Sequence, residues 1–257
     1  MDELTVALMQ EDVIWEDHRA NIDRFDKKID ALQPVDLVVL PEMFSTGFTM
    51  EPEKNAQTMG GPTVSWLCEK AVRKNTDIVG SIVIEEDGQY FNRLVWAKPD
   101  ESLFTYDKKH LFTFAGEHNH YSSGTEQLVV EVKGWRIATF ICFDLRFPAW
   151  CRNLNTRYDA ALFIASWPEK RRSHWQSLLQ ARAIENQSYV LGLNRVGTDG
   201  NDIKYSGDSC VVDPLGNTLY SSSYEESSYT CRLNKAGLHA VREQFPFLKE
   251  ADTFEFL

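Results

Sequence analysis

The chain has 257 residues, and 27 Lys and Arg against 38 Asp and Glu give a formal net charge of −11. This acidic balance argues against nucleic acid or an anionic membrane as the main partner. Hydrophobic residues (43%) and charged residues (25%) are near the globular average, which excludes wholesale disorder. No run approaches the roughly 18 apolar residues of a membrane helix. We expect one domain over residues 1–257, and the acidic start lacks the basic region of an export signal, which favours the cytoplasm.

Strand-like segments alternate with segments of helical period, which predicts an α/β fold. The predicted strands of the first half are short apolar runs at 4–9, 36–40, 77–84, 90–97 and 103–106. The predicted helices show apolar residues at spacings of three and four, over 22–32 and 64–71. Asn75 can end the second helix, and Asp87 and Gly88 are typical of a tight turn between strands.

The second half continues this alternation. Its predicted strands lie at 135–141, 159–165, 189–196 and 208–212. A helix is predicted over residues 175–183 with Ser173 as its N-cap, and the sequence at 213–216 (DPLG) is typical of a type I turn that joins two antiparallel strands. The tail at 243–257 contains four Phe and a final Leu. So much apolar surface predicts that the tail docks on the core or on a partner subunit.

Three reactive side chains stand where predicted strands end. Glu42 follows the strand at 36–40, Lys108 lies just beyond the strand that ends at 106, and Cys142 follows residue 141. Ligands of open α/β sheets bind at the carboxyl ends of strands. Taken singly, Glu42 could be a loop acid, Lys108 a surface lysine and Cys142 an inert buried thiol.

Together, these three side chains suffice for acyl transfer without a metal or cofactor. A thiol is mostly protonated at neutral pH, and Glu42 could take the proton of Cys142. Lys108 could then bind the oxyanion that forms when the thiolate attacks a carbonyl. The backbone N–H of Phe143 is a candidate second donor, and each such donor is worth about 3 kcal/mol. The odd number of cysteines, five, favours free thiols in a reducing compartment.

A second hypothesis uses the histidines. His110, His118 and His120 lie within eleven residues, with Glu117 as a possible fourth ligand, as in a metal-dependent hydrolase. The alternative is that these histidines pack or hydrogen-bond around an entrance. A non-catalytic binding protein that keeps only the fold is the third hypothesis.

Four motifs, in this order, resemble the nitrilase (carbon–nitrogen hydrolase) superfamily. They are 40–44 (LPEMF), 106–112 (YDKKHLF), 141–148 (ICFDLRFP) and 182–187 (RAIENQ). The resemblance covers nearly the whole chain and implies a four-layer α-β-β-α sandwich of two mixed sheets flanked by helices, assembled as a homo-oligomer. It implies Glu42 as general base, Lys108 as catalytic lysine and Cys142 as nucleophile. Glu117 matches a second glutamate that positions the lysine or the water, and no metal or cofactor is implied.

The residues after the nucleophile separate branches of the family. Phe143-Asp144 stands where true nitrilases have Trp-Glu, which favours an amidase. The stretches 144–148 and 117–121 resemble the bacterial omega-amidases, which release ammonia from 2-oxoglutaramate or 2-oxosuccinamate and leave a 2-oxo dicarboxylate. The alternative is an N-carbamoyl or aliphatic amidase, or a nitrilase, with the same three residues.

Such a substrate carries a carboxylate, so a cation is needed near the nucleophile despite the acidic chain. Arg171 or Arg172 could bind it bidentately, or both could belong to a solvated charge run. Arg146 is expected to brace the turn behind the nucleophile instead. The other residues expected to contact the substrate are Phe44, His118 and Trp167.

Overall fold

The computed structural model describes residues 3–256, so Met1, Asp2 and Leu257 of the predicted domain lie outside the described residues. The strands are β1 (Glu3–Gln10), β2 (Leu37–Val39), β3 (Asp77–Glu86), β4 (Gln89–Ala97), β5 (Leu103–Asp107), β6 (Leu128–Val132), β7 (Trp135–Ile141), β8 (Ala160–Ala165), β9 (Tyr189–Asn194), β10 (Val196–Thr198), β11 (Lys204–Val212), β12 (Thr218–Ser223) and β13 (Ser227–Asn234). The α-helices are α1 (His18–Ala31), α2 (Pro52–Asn55), α3 (Pro62–Lys74), α4 (Arg172–Asn186) and α5 (Lys235–Gln244).

The strands form two mixed sheets. The first has the order β13-β1-β2-β3-β4-β5, and the second has the order β10-β11-β9-β8-β7-β6 with β12 beside β11. The centre of each sheet is parallel, β1-β2-β3 in one and β7-β8-β9 in the other, while the outer strands pair antiparallel. The α/β prediction is confirmed.

The side chains of β1 alternate between two cores, as the pleat of a strand requires. Leu4, Val6 and Leu8 belong to the core between the sheets, where β1 packs against β9 and β11. Ala7 and Met9 face the opposite way and pack with the apolar residues of α1 and α3. Helix α4 covers β9 and β11 from outside. The layers therefore run helix, sheet, sheet, helix, which confirms the four-layer sandwich.

The predicted C-terminal end of α3 agrees with the structure, whereas the predicted N-cap of α4 does not. Helix α3 has Pro62 in its first turn and ends at Asn75, which is left-handed with φ 51°, as predicted. The N-cap prediction for α4 is wrong. The helix begins at Arg172, immediately after the 3₁₀ turn Glu169–Arg171, and Ser173 lies inside it. The preceding turn leads directly into the helix, so no separate capping residue is used.

The C-terminal residues contact their own chain. The Phe256 ring lies edge-on to Trp150, with 5.1 Å between ring centroids, while the Phe247 side chain is 65% exposed. Leu257, the last residue of the predicted docking tail, is outside the described range. Within residues 3–256, no helix combines the length and the apolar character needed to cross a bilayer.

Candidate active site

Glu42, Lys108 and Glu117 form a cluster in which one ammonium lies between two carboxylates. The Nζ of Lys108 is 2.9 Å from Oε1 of Glu42 and 3.0 Å from each carboxylate oxygen of Glu117. None of the three side chains has exposed surface. Buried charges persist only where hydrogen bonds replace the lost water. The lysine meets that condition because each of its three hydrogens has an acceptor.

The turn that carries Glu42 is fastened to both sheets. Next to Glu42, the backbone N–H of Met43 donates to the Ser81 hydroxyl in β3 over 2.8 Å. The second carboxylate oxygen of Glu42, Oε2, accepts the backbone N–H of Ser166 over 2.6 Å. Ser166 directly follows β8 in the second sheet. The carboxylate therefore has a fixed orientation in the seam between the sheets.

Lys108 and Glu117 reach the same point from neighbouring segments. Lys108 directly follows β5, and its backbone N–H donates to the carbonyl of Asn92 in β4 over 3.0 Å. Glu117 begins a short 3₁₀ helix, Glu117–Asn119, and accepts the backbone N–H of Phe112 as well. The turn around Phe112 thus holds the second carboxylate against the lysine.

Cys142 begins the 3₁₀ helix Cys142–Arg146 directly after β7, with φ 47°. A left-handed conformation costs a non-glycine residue roughly 1–2 kcal/mol and is common at functional sites. The Sγ atom lies 4.0 Å from the carbonyl oxygen of Ser166, whose N–H holds Glu42. The nucleophile predicted from the sequence and the predicted base therefore meet at the same residue of the second sheet.

Asp144 fastens the turn that presents the thiol. Its carboxylate accepts the backbone N–H of Ile141 over 3.0 Å and the Tyr106 hydroxyl over 2.7 Å. It also accepts the backbone N–H of His110 over 2.9 Å and lies 2.8 Å from the ring Nδ1 of that residue. The His110 ring stacks on Phe147 with 3.6 Å between centroids. His110 thus supports the turn after the nucleophile.

The other two histidines of the predicted cluster lie elsewhere. His118 and His120 are exposed, whereas His110 is half-buried against Asp144. Across residues 3–256, no group of three or more His, Cys, Asp or Glu side chains is arranged to hold a metal ion. The structure therefore does not bring together the ligands that the metal hypothesis requires.

Burial and charge decide the protonation of the cluster. Burial raises the pKa of the Cys142 thiol well above its usual value, and the Glu42 carboxylate raises it further, against an opposing effect of Lys108. Burial and Glu42 also raise the pKa of Glu117. Burial disfavours the charge on Lys108, but Glu117 and Glu42 outweigh it, so its pKa lies above the usual range. At rest, the site holds a neutral thiol beside a cationic lysine.

A cavity of about 1230 Å³ opens onto Cys142. Glu42, Lys108 and Glu117 are not among its lining residues. Most of its wall is aromatic or apolar, formed by Trp15, Phe48, Met50, Phe112, Phe114, Phe143, Trp167 and Tyr205. The thiol is thus the member of the cluster that meets the cavity.

Of the residues expected to bind substrate, Trp167 and Arg171 line the cavity, as does Phe143. The indole N–H of Trp167 donates to the carbonyl of Arg171 over 2.8 Å, and the Arg171 guanidinium lies 5.1 Å from the centroid of the Phe112 ring. Both side chains are therefore held at the wall.

Phe44, His118 and Arg172 do not line the cavity. Phe44 is fully buried and lies edge-on to Phe25 of the outer helix α1. Its ring fills part of the core between the first sheet and the outer helices. Arg172 pairs with Asp208. The exposed His118 is on the outward side of its 3₁₀ helix. The substrate-binding prediction for these three residues does not agree with their positions.

Arg146, which was expected to brace the turn, lines the cavity. Its guanidinium is 4.7 Å from the centroid of the Trp167 ring. Burial and the nearby charge of Arg171 lower the pKa of Arg146. The available signal in the sequence was that Arg146 follows Cys142 by only four residues. Asn92, a buried polar residue within an apolar strand, is a second site residue that the sequence analysis missed.

Comparisons with known proteins agree with this architecture. A profile of the carbon–nitrogen hydrolase family matches residues 5–238. The chain is 42% identical to an omega-amidase, YafV, of Escherichia coli strain K12 over 255 residues, covering 99% of each chain. It is 33% identical to a 2-oxoglutaramate amidase of Bacillus subtilis, covering 94% of this chain and 95% of the relative.

A crystal structure of a similar protein has the same fold. The protein is XC1258 from Xanthomonas campestris, a CN-hydrolase superfamily member with an arsenic adduct in its active site. It is 42% identical to this chain, and the two superimpose with a TM-score of 0.98 over the full length of both.

Proposed function

Because this chain belongs to the carbon–nitrogen hydrolase family, we propose that it is an omega-amidase, an enzyme that releases ammonia from the terminal amide of a small 2-oxo acid amide. The similarity to an omega-amidase over 99% of both chains carries this assignment. The substrate class is that of 2-oxoglutaramate and 2-oxosuccinamate. The chemistry is hydrolysis of a C–N bond that is not a peptide bond.

The geometry supports a covalent route for this hydrolysis. In the first half-reaction, Glu42 takes the proton of the Cys142 thiol, and the sulfur attacks the amide carbon. The carbonyl oxygen becomes an oxyanion, for which the Lys108 ammonium and the Phe143 N–H are the proposed donors. Collapse breaks the C–N bond, the nitrogen takes the proton from Glu42, and ammonia leaves. Cys142 then carries the acyl group as a thioester.

Water completes the reaction. Glu42 removes a proton from a water molecule that attacks the thioester carbon, and the C–S bond breaks. The proton returns to the sulfur, so the enzyme regains its thiol and releases the carboxylic acid. Glu117 keeps Lys108 charged and in place during both steps through its two 3.0 Å contacts.

The cavity wall carries both basic and acidic side chains, and two of its arginines are our candidates for binding the substrate carboxylate. Arg146 and Arg171 line the same cavity as Cys142. Neither has a carboxylate within ion-pair distance in residues 3–256, and each lies against an aromatic ring instead. The positive charges are close enough to repel one another. An anion between them would relieve this repulsion, so we place the substrate carboxylate there.

An ammonia-release screen tests the assignment. The purified protein would be given 2-oxoglutaramate and 2-oxosuccinamate, and in parallel glutamine, N-carbamoyl compounds, aliphatic amides and nitriles. We expect the 2-oxo acid amides to have a kcat/KM at least about 10-fold higher than the others, a difference of roughly 1.4 kcal/mol in transition-state binding. A nitrile or carbamoyl compound turned over equally well would overturn it. The Cys142→Ala variant is the control for contaminating amidases.

We also propose that the protein works in the cytoplasm as a homo-oligomer. The five cysteines are free in this structure, in keeping with a reducing compartment. Large apolar side chains are exposed on the surface, at Ile184 (52%), Leu215 (53%) and Leu219 (52%) among others. A patch of this kind suits a subunit interface. Light scattering coupled to size exclusion would give the mass, and a monomer at micromolar concentration would exclude the oligomer.

A further inference from the structure

Asn92 lies in the buried cluster, on strand β4, with no exposed surface. Its side-chain amide nitrogen is 2.8 Å from Oε1 of Glu42 and 3.5 Å from Oε1 of Glu117. Its backbone carbonyl accepts the N–H of Lys108 over 3.0 Å. One residue therefore contacts all three charged members of the cluster.

The two oxygens of Glu42 have different surroundings. Oε1 accepts hydrogen bonds from both Lys108 and Asn92, whereas Oε2 accepts one, from the backbone of Ser166. Ser166 is also the residue whose carbonyl lies 4.0 Å from the Cys142 sulfur. The Glu42 carboxylate is close enough to Cys142 to raise the pKa of its thiol through its charge and a hydrogen bond. With Oε1 occupied by two donors, Oε2 is the oxygen left to receive a proton.

The amide of Asn92 is held in this orientation at a cost. Its Oδ1 is buried and has no hydrogen-bond partner among the described residues. A buried acceptor without a donor is unfavourable because it has lost its hydrogen bonds to water. Rotation of the amide would not help, because it would set Oδ1 against two carboxylates. Asn153, by contrast, uses both ends of its amide in contacts with the backbone.

We propose that Asn92 is a positioning residue for proton transfer: it bridges the two carboxylates opposite Lys108, fixes Oε1 of Glu42, and so directs the proton of the Cys142 thiol to Oε2. In this step the S–H bond breaks and an O–H bond forms on Glu42. This inference rests on the proposed function only for its turnover assay, because the thiol can also be followed by alkylation.

The variants Asn92→Leu and Asn92→Asp separate this role from packing. Leucine has a similar volume but no donor, and aspartate keeps the shape but sets a third carboxylate beside Glu42 and Glu117. The titratable groups that face the pair are Lys108, Cys142, Tyr121 and Tyr205. Loss of a donor to the charged carboxylate makes its protonation easier, and an added negative charge makes it easier still.

We expect the acidic limb of the pH profile of kcat/KM to move upward by about one pH unit in Asn92→Leu, and further in Asn92→Asp. At neutral pH, kcat should fall about 10-fold to 100-fold while KM changes less than about threefold. The rate of Cys142 alkylation by iodoacetamide should show the same order of acidic limbs. Asn153→Leu is the control, since it removes a buried asparagine away from the cluster and should lower Tm without moving either limb.

The outcomes are distinguishable. Acidic limbs that coincide in wild type, Asn92→Leu and Asn92→Asp, in proteins whose circular dichroism shows them folded, would overturn the inference. Limbs that move with Asn153→Leu as well would also overturn it, because the shift would then report packing. If wild type releases no ammonia from any amide, the proposed function fails, and the alkylation profiles alone decide the role of Asn92.

Discussion

Cys142 has an unfavourable, left-handed backbone conformation and lies beside the Glu42 carboxylate. The whole residue is 8% exposed, the same as Cys231, so the exposed fraction does not distinguish the two. What differs is the neighbourhood: Cys142 opens onto the cavity and has Glu42 and Lys108 close by, whereas Cys231 lies in β13. In the proposed mechanism, the reactivity of Cys142 therefore comes from proton acceptance by Glu42 and not from a larger exposed fraction.

The first prediction concerns Arg146 and Arg171, the two arginines that line the cavity. Replacing Arg146 with Gln removes one of the two charges that face the substrate carboxylate. A hydrogen bond to a charged group contributes about 1.5–3 kcal/mol, so KM for 2-oxoglutaramate should rise about 10-fold to 100-fold with a smaller change in kcat. Steady-state ammonia release measures both constants.

The matched control is Arg172→Gln, since Arg172 pairs with Asp208 away from the cavity. This variant should leave KM within about threefold of wild type. Equal increases in KM for the two variants would contradict the assignment of Arg146, as would an unchanged KM in Arg146→Gln.

At the residue scale, sequence patterns could locate Glu42, Lys108 and Cys142 because each stands just beyond a strand end that local apolar runs mark. They could not place Phe44, since an aromatic residue beside Glu42 suits a cavity wall and a core equally well. Phe44 packs on Phe25 from α1, a contact between residues that are far apart in the chain. Asn92 was not predicted as a site residue for the same reason, because its hydrogen-bond partners come from other segments of the chain.

Among the structural elements, strand β3 supports the turn that carries Glu42. The backbone N–H of Leu40 donates to Val79, and that of Phe44 donates to Ser81 over 3.1 Å. Gly80 lies between these two acceptors, and the absence of a side chain lets the turn approach the strand. The position of Glu42, the proposed general base, is therefore set by packing against a strand that contributes no residue to the proposed mechanism.

A methyl group at Gly80 should disturb that approach, which is the second prediction. A Cβ there would lie 2.7 Å from Cδ1 of Phe44 and 2.8 Å from Cβ of Leu40, so the turn must shift. We expect Gly80→Ala to lower the free energy of unfolding by about 1–3 kcal/mol and to reduce kcat. Urea unfolding and ammonia release measure the two effects. Gly60→Ala is the control, because its nearest neighbour is 3.9 Å away, and equal losses in both variants would refute the argument.

The third prediction concerns the docking of helix α5. Asp159, at the start of β8, accepts hydrogen bonds from Arg136 and Arg242 and lies 3.2 Å from Lys235. Burial alone would raise the pKa of Asp159, but the hydrogen bonds from Arg136 and the surrounding positive charges outweigh it and hold the pKa below its usual value. A carboxylate with a lowered folded pKa stabilises the fold above its unfolded pKa of about 3.9, and this contribution is lost as the pH falls through the folded pKa.

Asp159→Asn should therefore lower the free energy of unfolding by about 3 kcal/mol at pH 7, and the difference from wild type should shrink below about pH 4. Urea unfolding at pH 7 and pH 3 checks this. Asp23→Asn, on the exposed side of α1, is the control and should change little at either pH. A difference for Asp159→Asn that stays constant down to pH 3 would show that its charge is not responsible.

At the element scale, long apolar runs predicted the inner strands and helices, and the turn at 213–216 predicted an antiparallel partner for β11, whereas α5 went unpredicted. Strand β12 has a single leucine and a tyrosine among serines, and α5 has only a few apolar residues. Both form because a partner is already present: β12 pairs with β11, and α5 follows β13 with Asn234 capping its first turn. Their stability comes from tertiary context, which a single sequence does not display.

For the whole molecule, the cavity and the buried cluster make the five thiols unequal. Cys151, Cys210 and Cys231 are buried away from the cavity, Cys68 is half-buried on α3, and only Cys142 meets the cavity. We predict that iodoacetamide modifies Cys142 first, Cys68 slowly, and the other three only after unfolding. Burial also raises the pKa of Cys210 to about 12, which keeps its thiol protonated.

Peptide mass spectrometry of the alkylated protein, before and after urea, checks this fourth prediction. The Cys142→Ala variant should lose the fast reaction and keep the slow one at Cys68. Modification of Cys151 or Cys231 in the folded protein at a rate comparable to that of Cys142 would contradict it.

The division between the buried cluster and the cavity wall has a consequence for how such an enzyme could diversify. The groups proposed to act on the reacting bond, Glu42 and Lys108, are not among the lining residues of the cavity, whereas the surfaces that face the rest of a substrate come from separate segments around Trp15, Phe112, Trp167 and Tyr205. Substitutions in those segments can change substrate preference without altering the charges around Lys108. Cys142 is the shared point, and its left-handed backbone restricts what can replace it: serine could adopt that conformation, but the β-branched side chain of threonine would clash. Substrate preference can thus change through substitutions in the cavity wall, whereas few residues can replace Cys142.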